Sequence, residues 1–307
     1  MAVVEVSSLT HRYGNVTALR DLTFSVPDGA LYALLGPNGS GKTTLLQILM
    51  GLRRARSGRV SLMGVDSAAL RLHHRASIGY IAEGQRLPKW MRLEQLEAYL
   101  APLYPTWDAS LANSLRERFE LDPRQTIGTL SRGGHMKAAL LCTLAPRPKL
   151  LLMDEPFTGM DALVKDDLVR GLLESSGTDG WSVLVCSHDI GELELLADWV
   201  GFLDKGQLRL SEPMDDLRRR FKHIEIVMTG SEPLANRDIA TDWMSVERSG
   251  PRVSFLVSHG GADPIERVLS TRFPNALRID VRDASLREVF VALARTTRLR
   301  ASGEVAA

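Results

Sequence analysis

The sequence predicts an α/β fold with a largely parallel core sheet, and three observations support this prediction. The run ALYALLG at residues 30–36 is continuously apolar, which is typical of a strand buried on both faces. Directly after Gly41, the apolar residues of KTTLLQILMGL adopt the spacing of a helix. Between residues 149 and 210, strand-like and helix-like segments alternate, which indicates βαβ units.

The other segments predict additional strands, a helical region and a separate tail. Residues 3–9 and 16–26 have strand patterns, and the PDG turn after them reverses the chain. Amphipathic spacing dominates residues 90–145 and predicts helices. After Phe221 the pattern becomes a short α+β series. In that series we expect strands near residues 223–228, 244–249, 252–257 and 277–282, and helices near 263–272 and 285–296.

The length and these patterns predict two domains. A chain of 307 residues exceeds what one typical domain requires. We assign residues 1–221 to the large domain, with a helical insert at about residues 84–145. Residues 222–307 form a small α+β domain, and the order of its predicted elements would suit a ferredoxin-like unit.

Composition narrows the classes of function. Lys plus Arg total 38 and Asp plus Glu total 37, which argues against a nucleic-acid-binding surface along the whole chain. Cys142 and Cys186 lie in apolar runs and are expected to be buried thiols in a reducing compartment. No apolar run approaches the ~18 residues of a membrane-spanning helix. A membrane role would therefore require a partner.

The segment GPNGSGKTT at residues 36–44 predicts a phosphate-binding loop. It follows a predicted buried strand and opens a helix, and it fits the pattern G-x-x-x-x-G-K-[ST]. Its glycines let backbone N–H groups converge on phosphate oxygens, and the helix N-terminus adds a partial positive charge. Lys42 would supply a full charge to the β and γ phosphates and Thr43 a hydroxyl to Mg²⁺. The residues expected to bind the nucleotide here, which the family resemblance described below implies is ATP, are Gly36, Pro37, Asn38, Gly39, Ser40, Gly41, Lys42, Thr43 and Thr44.

Two adjacent acids, Asp154 and Glu155, end the apolar run LLLMDEP. A buried strand would deliver Asp154 at its carboxyl end, where it can contribute to the Mg²⁺ shell. Glu155 can orient or deprotonate an attacking water, so we predict that it acts as a general base. With the phosphate loop, these acids predict hydrolysis of a nucleoside triphosphate that uses Mg²⁺. Phosphate loops also occur in kinases, GTPases, helicases and motors, so they do not by themselves identify the class of protein.

The segment LSRGG, residues 130–134, resembles the signature of the ATP-binding subunits of ABC transporters, which is close to LSGGQ. Arg132 replaces a glycine and Gly134 replaces the glutamine of that pattern. The resemblance covers about residues 1–215 and implies that Ser131, Arg132, Gly133 and Gly134 contact the ATP held by a second subunit. It also implies the family fold, a P-loop NTPase whose parallel core sheet carries an antiparallel β subdomain and a helical insert.

Four more residues occupy positions with family roles. The resemblance implies that Tyr13 contacts adenine, and that Glu83, where a glutamine is usual, lies near Mg²⁺ or the attacking water. Asp161, in TGMDAL, would cross the dimer seam. His188, in LVCSHD, would contact the γ-phosphate and take part in catalysis with Lys42 and Glu155.

The resemblance also implies partners and a location. Two subunits, in a homodimer or a heterodimer, would close around two ATP molecules and power a separate transmembrane permease. The chain would then lie in the cytoplasm, on the inner face of the membrane, without direct contact with nucleic acid. Trp90 and Met91, between basic residues, would form a docking surface for a permease helix. The segment DASLREVFVALAR, residues 283–295, resembles the tail of ATPases that serve ABC-2-type exporters.

Two alternatives remain open at this point. One is a soluble ABC-type ATPase that acts on nucleic acid or ribosomes, although such proteins usually carry coiled coils, tandem cassettes or basic extensions. The other is a regulatory ATP-binding protein without transport, which the altered signature suggests. Co-purification with nucleic acid would favour the first, and measurable turnover that depends on Mg²⁺ would exclude the second.

Overall fold

The structure, a computed structural model, describes residues 1–160, 164–165, 167–170, 180–191, 193–194, 196–229, 243–258 and 265–302. The chain divides into two compact units, Met1–Ser211 and Glu212–Ala307. None of the helices within the described ranges is both long and apolar enough to cross a lipid bilayer.

The first unit is built on a six-stranded sheet with the order β10-β9-β3-β8-β7-β6. The neighbouring pairs β9–β3, β3–β8, β8–β7 and β7–β6 are parallel. This confirms the predicted α/β fold with a largely parallel sheet. The strands are β3 (Leu31–Leu35), β6 (Ile78–Ile81), β7 (Leu150–Asp154), β8 (Ser182–Ser187), β9 (Trp199–Asp204) and β10 (Gln207–Pro213).

A second, antiparallel sheet in this unit has the order β2-β1-β4-β5. Its long strands β1 and β2 form a hairpin in which Tyr13 pairs with Val16, and Gly14 takes the left-handed conformation that the tight turn requires. This sheet is the antiparallel subdomain that the family resemblance implies. Its strands are β1 (Ala2–Tyr13), β2 (Val16–Pro27), β4 (Ser57–Leu62) and β5 (Val65–Asp66).

Helices complete the first unit, and three of them lie in the predicted insert. Helix α1 follows β3 and buries its apolar residues against both sheets. In the insert, Asp108 caps α4 by accepting hydrogen bonds from the backbone N–H groups of Ser110 and Leu111, at 2.8 and 2.9 Å. Within the described ranges, the helices with defined ends are α1 (Lys42–Leu49), α2 (Leu72–Arg75), α3 (Leu93–Leu100), α4 (Ala109–Arg118) and α5 (Arg132–Leu144).

The second unit contains a four-stranded sheet with the order β12-β13-β11-β14, and all of its neighbouring pairs are antiparallel. This is the strand order of a ferredoxin-like sheet, and the strands and helices lie close to the predicted segments. The strands are β11 (Phe221–Met228), β12 (Trp243–Ser249), β13 (Arg252–Ser258) and β14 (Ala276–Asp283). The helices are α6 (Met214–Arg220), α7 (Ile265–Arg272) and α8 (Leu286–Ser302).

The boundary between the units lies before α6, whereas the sequence pattern placed it after that helix, at residue 221. Helix α6 belongs with the second unit because it packs against β11 and buries Met214 and Leu217. A 2.6 Å ion pair joins Glu212, just before this helix, to Arg220, its last residue. The sequence predicts a charged helix here, and only these contacts assign it to the second unit.

Candidate functional site

The phosphate-binding loop connects β3 to α1, as predicted, and close packing explains two of its glycines. A Cβ atom at Gly36 would lie 2.3 Å from the backbone oxygen of Leu203, and one at Gly41 would lie 2.6 Å from that of Ala18. Gly41 also has a φ of 112°, which side chains rarely tolerate. Gly39 has a φ of 78° but has open space beside it, where a ligand could approach the backbone.

Lys42 is buried at the start of α1 and points back into the loop. Its Nζ donates hydrogen bonds to the backbone oxygens of Gly36, at 2.7 Å, and Pro37, at 3.3 Å. The same Nζ lies 3.2 Å from Glu155 Oε1. A full positive charge is therefore held within the loop, where converging backbone N–H groups would also favour an anion.

Glu155 is the centre of a buried polar cluster just beyond β7. Besides the ion pair to Lys42, its Oε2 lies 2.7 Å from His188 Nδ1 and accepts a 3.3 Å bond from the backbone N–H of His188. Its backbone is left-handed, with a φ of 49°. Non-glycine residues adopt that conformation rarely, and such positions concentrate at functional sites.

Asp154 is 1% exposed, and neither of its carboxylate oxygens makes a hydrogen bond of ordinary geometry with a described residue. Burial raises the pKa of Asp154 to about 6; the facing Thr43 hydroxyl lowers it, while Glu155 and Glu83 raise it. Buried, unpaired carboxylates are costly unless a cation compensates them. A carboxylate beside a hydroxyl also matches the oxygen ligands that Mg²⁺ prefers, so the residues present fit that ion.

Glu83 lies close to Asp154, and Tyr13 lies beside the start of α1. Glu83 is exposed, and its charge reaches Asp154 strongly enough to raise the pKa of that carboxyl. Gln85 instead turns back to accept a 3.2 Å bond from the backbone N–H of Ala82. Tyr13 is 41% exposed at the end of β1, and its hydroxyl lies 3.3 Å from the Thr44 hydroxyl at the start of α1. An accessible aromatic ring therefore borders the phosphate loop.

The signature residues lie at the start of α5. Ser131 caps this helix, and its Oγ accepts a 3.0 Å bond from the backbone N–H of Gly134. Ser131 and Arg132 are exposed, whereas Gly133 is buried against Val164. Among the described residues of this one chain, no hydrogen bond or ion pair joins residues 131–134 to the phosphate loop. The predicted seam residue, Asp161, lies outside the described residues.

Sequence reasoning missed two hydroxyls and one cation near these groups. The hydroxyls of Thr158 and Ser187 donate to Glu155 Oε2, at 3.3 and 3.4 Å. The Arg53 guanidinium stacks 4.7 Å from the centre of the Tyr13 ring. Ser187 directly precedes His188, so its position offered a signal, whereas nothing in the local sequence indicates the contact of Arg53.

The chain is similar to ATP-binding proteins of transporters. A family model described as ABC transporter matches residues 19–158. The ABC transporter ATP-binding protein YtrB of Bacillus subtilis (strain 168) is 28% identical over 238 residues, which cover 77% of this chain and 80% of that protein. The lantibiotic transport ATP-binding protein SrtF of Streptococcus pyogenes is 29% identical over 215 residues, covering 69% of this chain and 92% of that protein.

Longer relatives and solved structures agree with this similarity. The sulfate/thiosulfate import ATP-binding protein CysA of Methylococcus capsulatus is 34% identical over 224 residues, covering 70% of this chain but only 64% of that protein. A solved ATP binding subunit of an ABC transporter matches with a TM-score of 0.64 and 28% identity, over 71% of this chain and 92% of that one. The resemblance first indicated by LSRGG is confirmed: over the greater part of its length, the chain is similar to the ATP-binding, ATP-hydrolysing subunits of ABC transporters.

Proposed function

We propose that two copies of this chain, or one copy and a related subunit, close around two ATP molecules and power a separate transmembrane subunit. The observation that supports this most strongly is the buried cluster of Lys42, Glu155 and His188 beside the unpaired Asp154 carboxylate. The cluster is chemically complete for phosphate binding and for activation of a water. It therefore favours turnover over a protein that only senses ATP.

Glu155 is the proposed general base. In the structure Lys42 and His188 both contact its carboxylate. A triphosphate in the loop would compete for Lys42, because its negative charge lies where the backbone N–H groups converge. Glu155 would then be free to orient and deprotonate a water, while His188 would contact the γ-phosphate.

Asp154 and Thr43 are the residues that would hold Mg²⁺, and Glu83 would contribute through a water or directly. The ion, when bound, would neutralise phosphate charge and stabilise the charge that develops on the transferred group. The chain's own contribution is a buried carboxylate and a hydroxyl at the mouth of the loop.

Tyr13 would stack on adenine, since its ring is accessible and borders α1.

The signature segment supports a site shared by two subunits. Ser131 and the start of α5 present an exposed hydroxyl and helix N-terminus, which together suit an anion. Among the described residues, these groups make no hydrogen bond or ion pair with the phosphate loop of their own chain. We infer that residues 131–134 contact the γ-phosphate held by the second subunit, with Asp161 at the seam.

A groove in the first unit supports docking of the transmembrane subunit. It has a volume of about 300 Å³ and lies between β6 and the helical insert, where Leu87, Pro88, Tyr99 and Tyr104 help to line it. Trp90, at the edge of the insert, is 76% exposed, so it is not a core residue, and Met91 is half-buried. Exposed aromatic residues beside an apolar groove are typical of protein interfaces.

The direction of transport is proposed from the tail. Residues 283–295 resemble the end of ATPases that serve ABC-2-type exporters, so we infer that the complex exports its substrate. The chain would accordingly work at the cytoplasmic face of the membrane, held there by the permease. Relatives whose names state import are also similar to this chain, so similarity to relatives does not by itself carry this inference.

We expect Glu155→Gln to slow ATP turnover by about 10²–10⁴-fold, the usual contribution of a general base. ATP binding should persist, because the amide keeps the shape of the side chain and leaves Lys42 unpaired for phosphate. Steady-state phosphate release and fluorescent-nucleotide titration measure the two quantities. Glu94→Gln, at an exposed position on α3, provides the control. Unchanged turnover in Glu155→Gln would contradict the assigned role.

Lys42→Ala should weaken ATP binding itself, because the loop loses its only full charge and Glu155 is left buried without that partner. The affinity for a fluorescent ATP analogue should fall by at least tenfold, with the fold checked by circular dichroism. Lys149→Ala removes an exposed lysine and serves as the control. Normal nucleotide affinity in Lys42→Ala would be a serious contradiction.

Ser131→Ala should reduce turnover and make it depend more steeply on protein concentration, since a shared site requires two chains. Wild-type specific activity should also fall on dilution below the dimer dissociation constant. Loss of the helix cap alone costs about 1 kcal/mol of stability. Asp108→Ala, which removes the cap of α4, separates that effect from the loss of the signature. A monomer equally active at every dilution would overturn the shared site.

Trp90→Ala should spare ATP turnover of the isolated chain but abolish co-purification with a multispanning membrane subunit. Purification of the tagged chain from solubilised membranes, followed by mass spectrometry, would identify that subunit. Leu72→Ala removes another exposed apolar side chain, which lies on α2 outside the helical insert, and is the control. A complex that survives Trp90→Ala argues against docking there, and co-purification of nucleic acid instead would favour the non-transport alternative.

A further inference from the structure

The second unit contains a cavity that the ATPase function does not use. It has a volume of about 260 Å³, and every residue lining it belongs to the second unit. It lies between α8 and the face of the sheet that carries His223, Ser254 and Leu256. The opposite face carries the apolar core, where α7 packs on Ile224, Val253 and Phe255 among others. The sheet therefore separates a dry core from a cavity with polar walls.

An irregularity in β12 places Ser245 at the wall of this cavity. The register between β12 and β13 shifts between Met244 and Glu247, which is where a β-bulge places an extra residue. Ser245 has a φ of 50°, a left-handed conformation that serine rarely adopts. Its Oγ is buried and has no hydrogen-bond partner in the described part of the chain. A strained backbone thus holds an unsatisfied hydroxyl at the cavity wall.

The charges around the cavity are paired, with one exception. Glu247 lies 3.1 Å from Arg295, and Glu288 accepts a 2.9 Å hydrogen bond from Arg282. Hydrogen bonding to Arg282 lowers the pKa of Glu288 to about 2, so that carboxylate stays charged and neutralised by its partner. Arg287, on α8, lines the cavity without an ion pair or hydrogen bond to any described residue. The uncompensated charge in the cavity is therefore a guanidinium.

We propose that this cavity binds a small organic carboxylate. The Arg287 guanidinium would pair with the carboxylate, for which its planar fork is well suited. The buried Ser245 hydroxyl, which lacks a partner among the described residues, would form a hydrogen bond with the same ligand. Leu256 and Val291 also line the cavity and would contact a short apolar body. The volume limits the ligand to a small molecule, well below the size of ATP.

This site is independent of the proposed transport function, because none of its residues belongs to the nucleotide-binding unit. It would give the chain a second ligand whose chemistry differs from that of ATP. A carboxylate that fits this cavity would stabilise the second unit by mass action, since the unfolded chain offers no comparable site.

The test uses the full-length chain and matched pairs of probes: butyrate, hexanoate, benzoate and leucine, each against its primary amide. Saturation-transfer NMR and calorimetric titration would measure binding. We expect at least one carboxylate to bind, and its amide to bind at least about tenfold more weakly, because the charge-assisted pair to Arg287 is lost. The proposal is overturned if none of the carboxylates binds or if the amides bind equally well.

Variants locate the site. Arg287→Gln should weaken binding of the carboxylate by about tenfold or more. Ser245→Gly tolerates the left-handed backbone while it removes the hydroxyl, so it should weaken binding without unfolding β12. Arg248→Gln removes an exposed arginine of the same strand that does not line the cavity, and should leave binding unchanged. ATP affinity, expected to be unchanged in all three, reports that the chain is folded. Equal carboxylate affinity in Arg287→Gln and wild type would refute the assignment.

Discussion

The structure of the site depends on one buried carboxylate. Glu155 lies between Lys42 and His188, and it contacts both through different oxygens. Removal of one partner from a buried pair typically costs about 3–5 kcal/mol, because a charge is left without compensation. The left-handed backbone at Glu155 is strained, and these contacts must offset the free-energy cost of that strain. In the proposed mechanism Glu155 is occupied by these contacts, so its release as the base would be coupled to the entry of an anion that competes for Lys42.

The sheet order explains how three distant segments reach this carboxylate. Strand β8 lies between β3 and β7, and all three are parallel. Their carboxyl ends therefore meet at one edge, where the phosphate loop, the acid pair and His188 follow in turn. A 3.2 Å hydrogen bond from the backbone N–H of Gly36 to the backbone oxygen of Ser187 ties two of these ends together. The fold positions reactive groups through main-chain pairing, which is rigid, rather than through long flexible side chains.

The two units bury their cores separately and differ in chemistry. The first concentrates buried charge at a sheet edge, whereas the second builds a compact antiparallel sheet covered on both faces by helices. In the second unit, the face of the sheet under α7 is apolar and closed. The face under α8 retains an unpaired guanidinium and a buried hydroxyl without a hydrogen-bond partner. A unit that served only as a stabilising cap would have no need of a strained serine at a cavity wall. The chemistry of its polar face accordingly indicates a binding role.

The sequence by itself determined the local elements and the identity of the chemical groups. Gly36 to Thr44 predicted the phosphate loop, and the apolar run before Asp154 predicted a buried strand, because both signals depend on neighbours in the chain. Only the tertiary structure decided which groups meet. The contact of Glu155 with His188 spans 33 positions, α6 joins the second unit through burial, and Gln85 turns away from the site while Glu83 remains near Asp154. The bulge at Ser245 arises from the pairing register of two strands, and the free charge of Arg287 from the partners that its neighbours take. Such features depend on distances across the fold, which a linear pattern does not encode residue by residue.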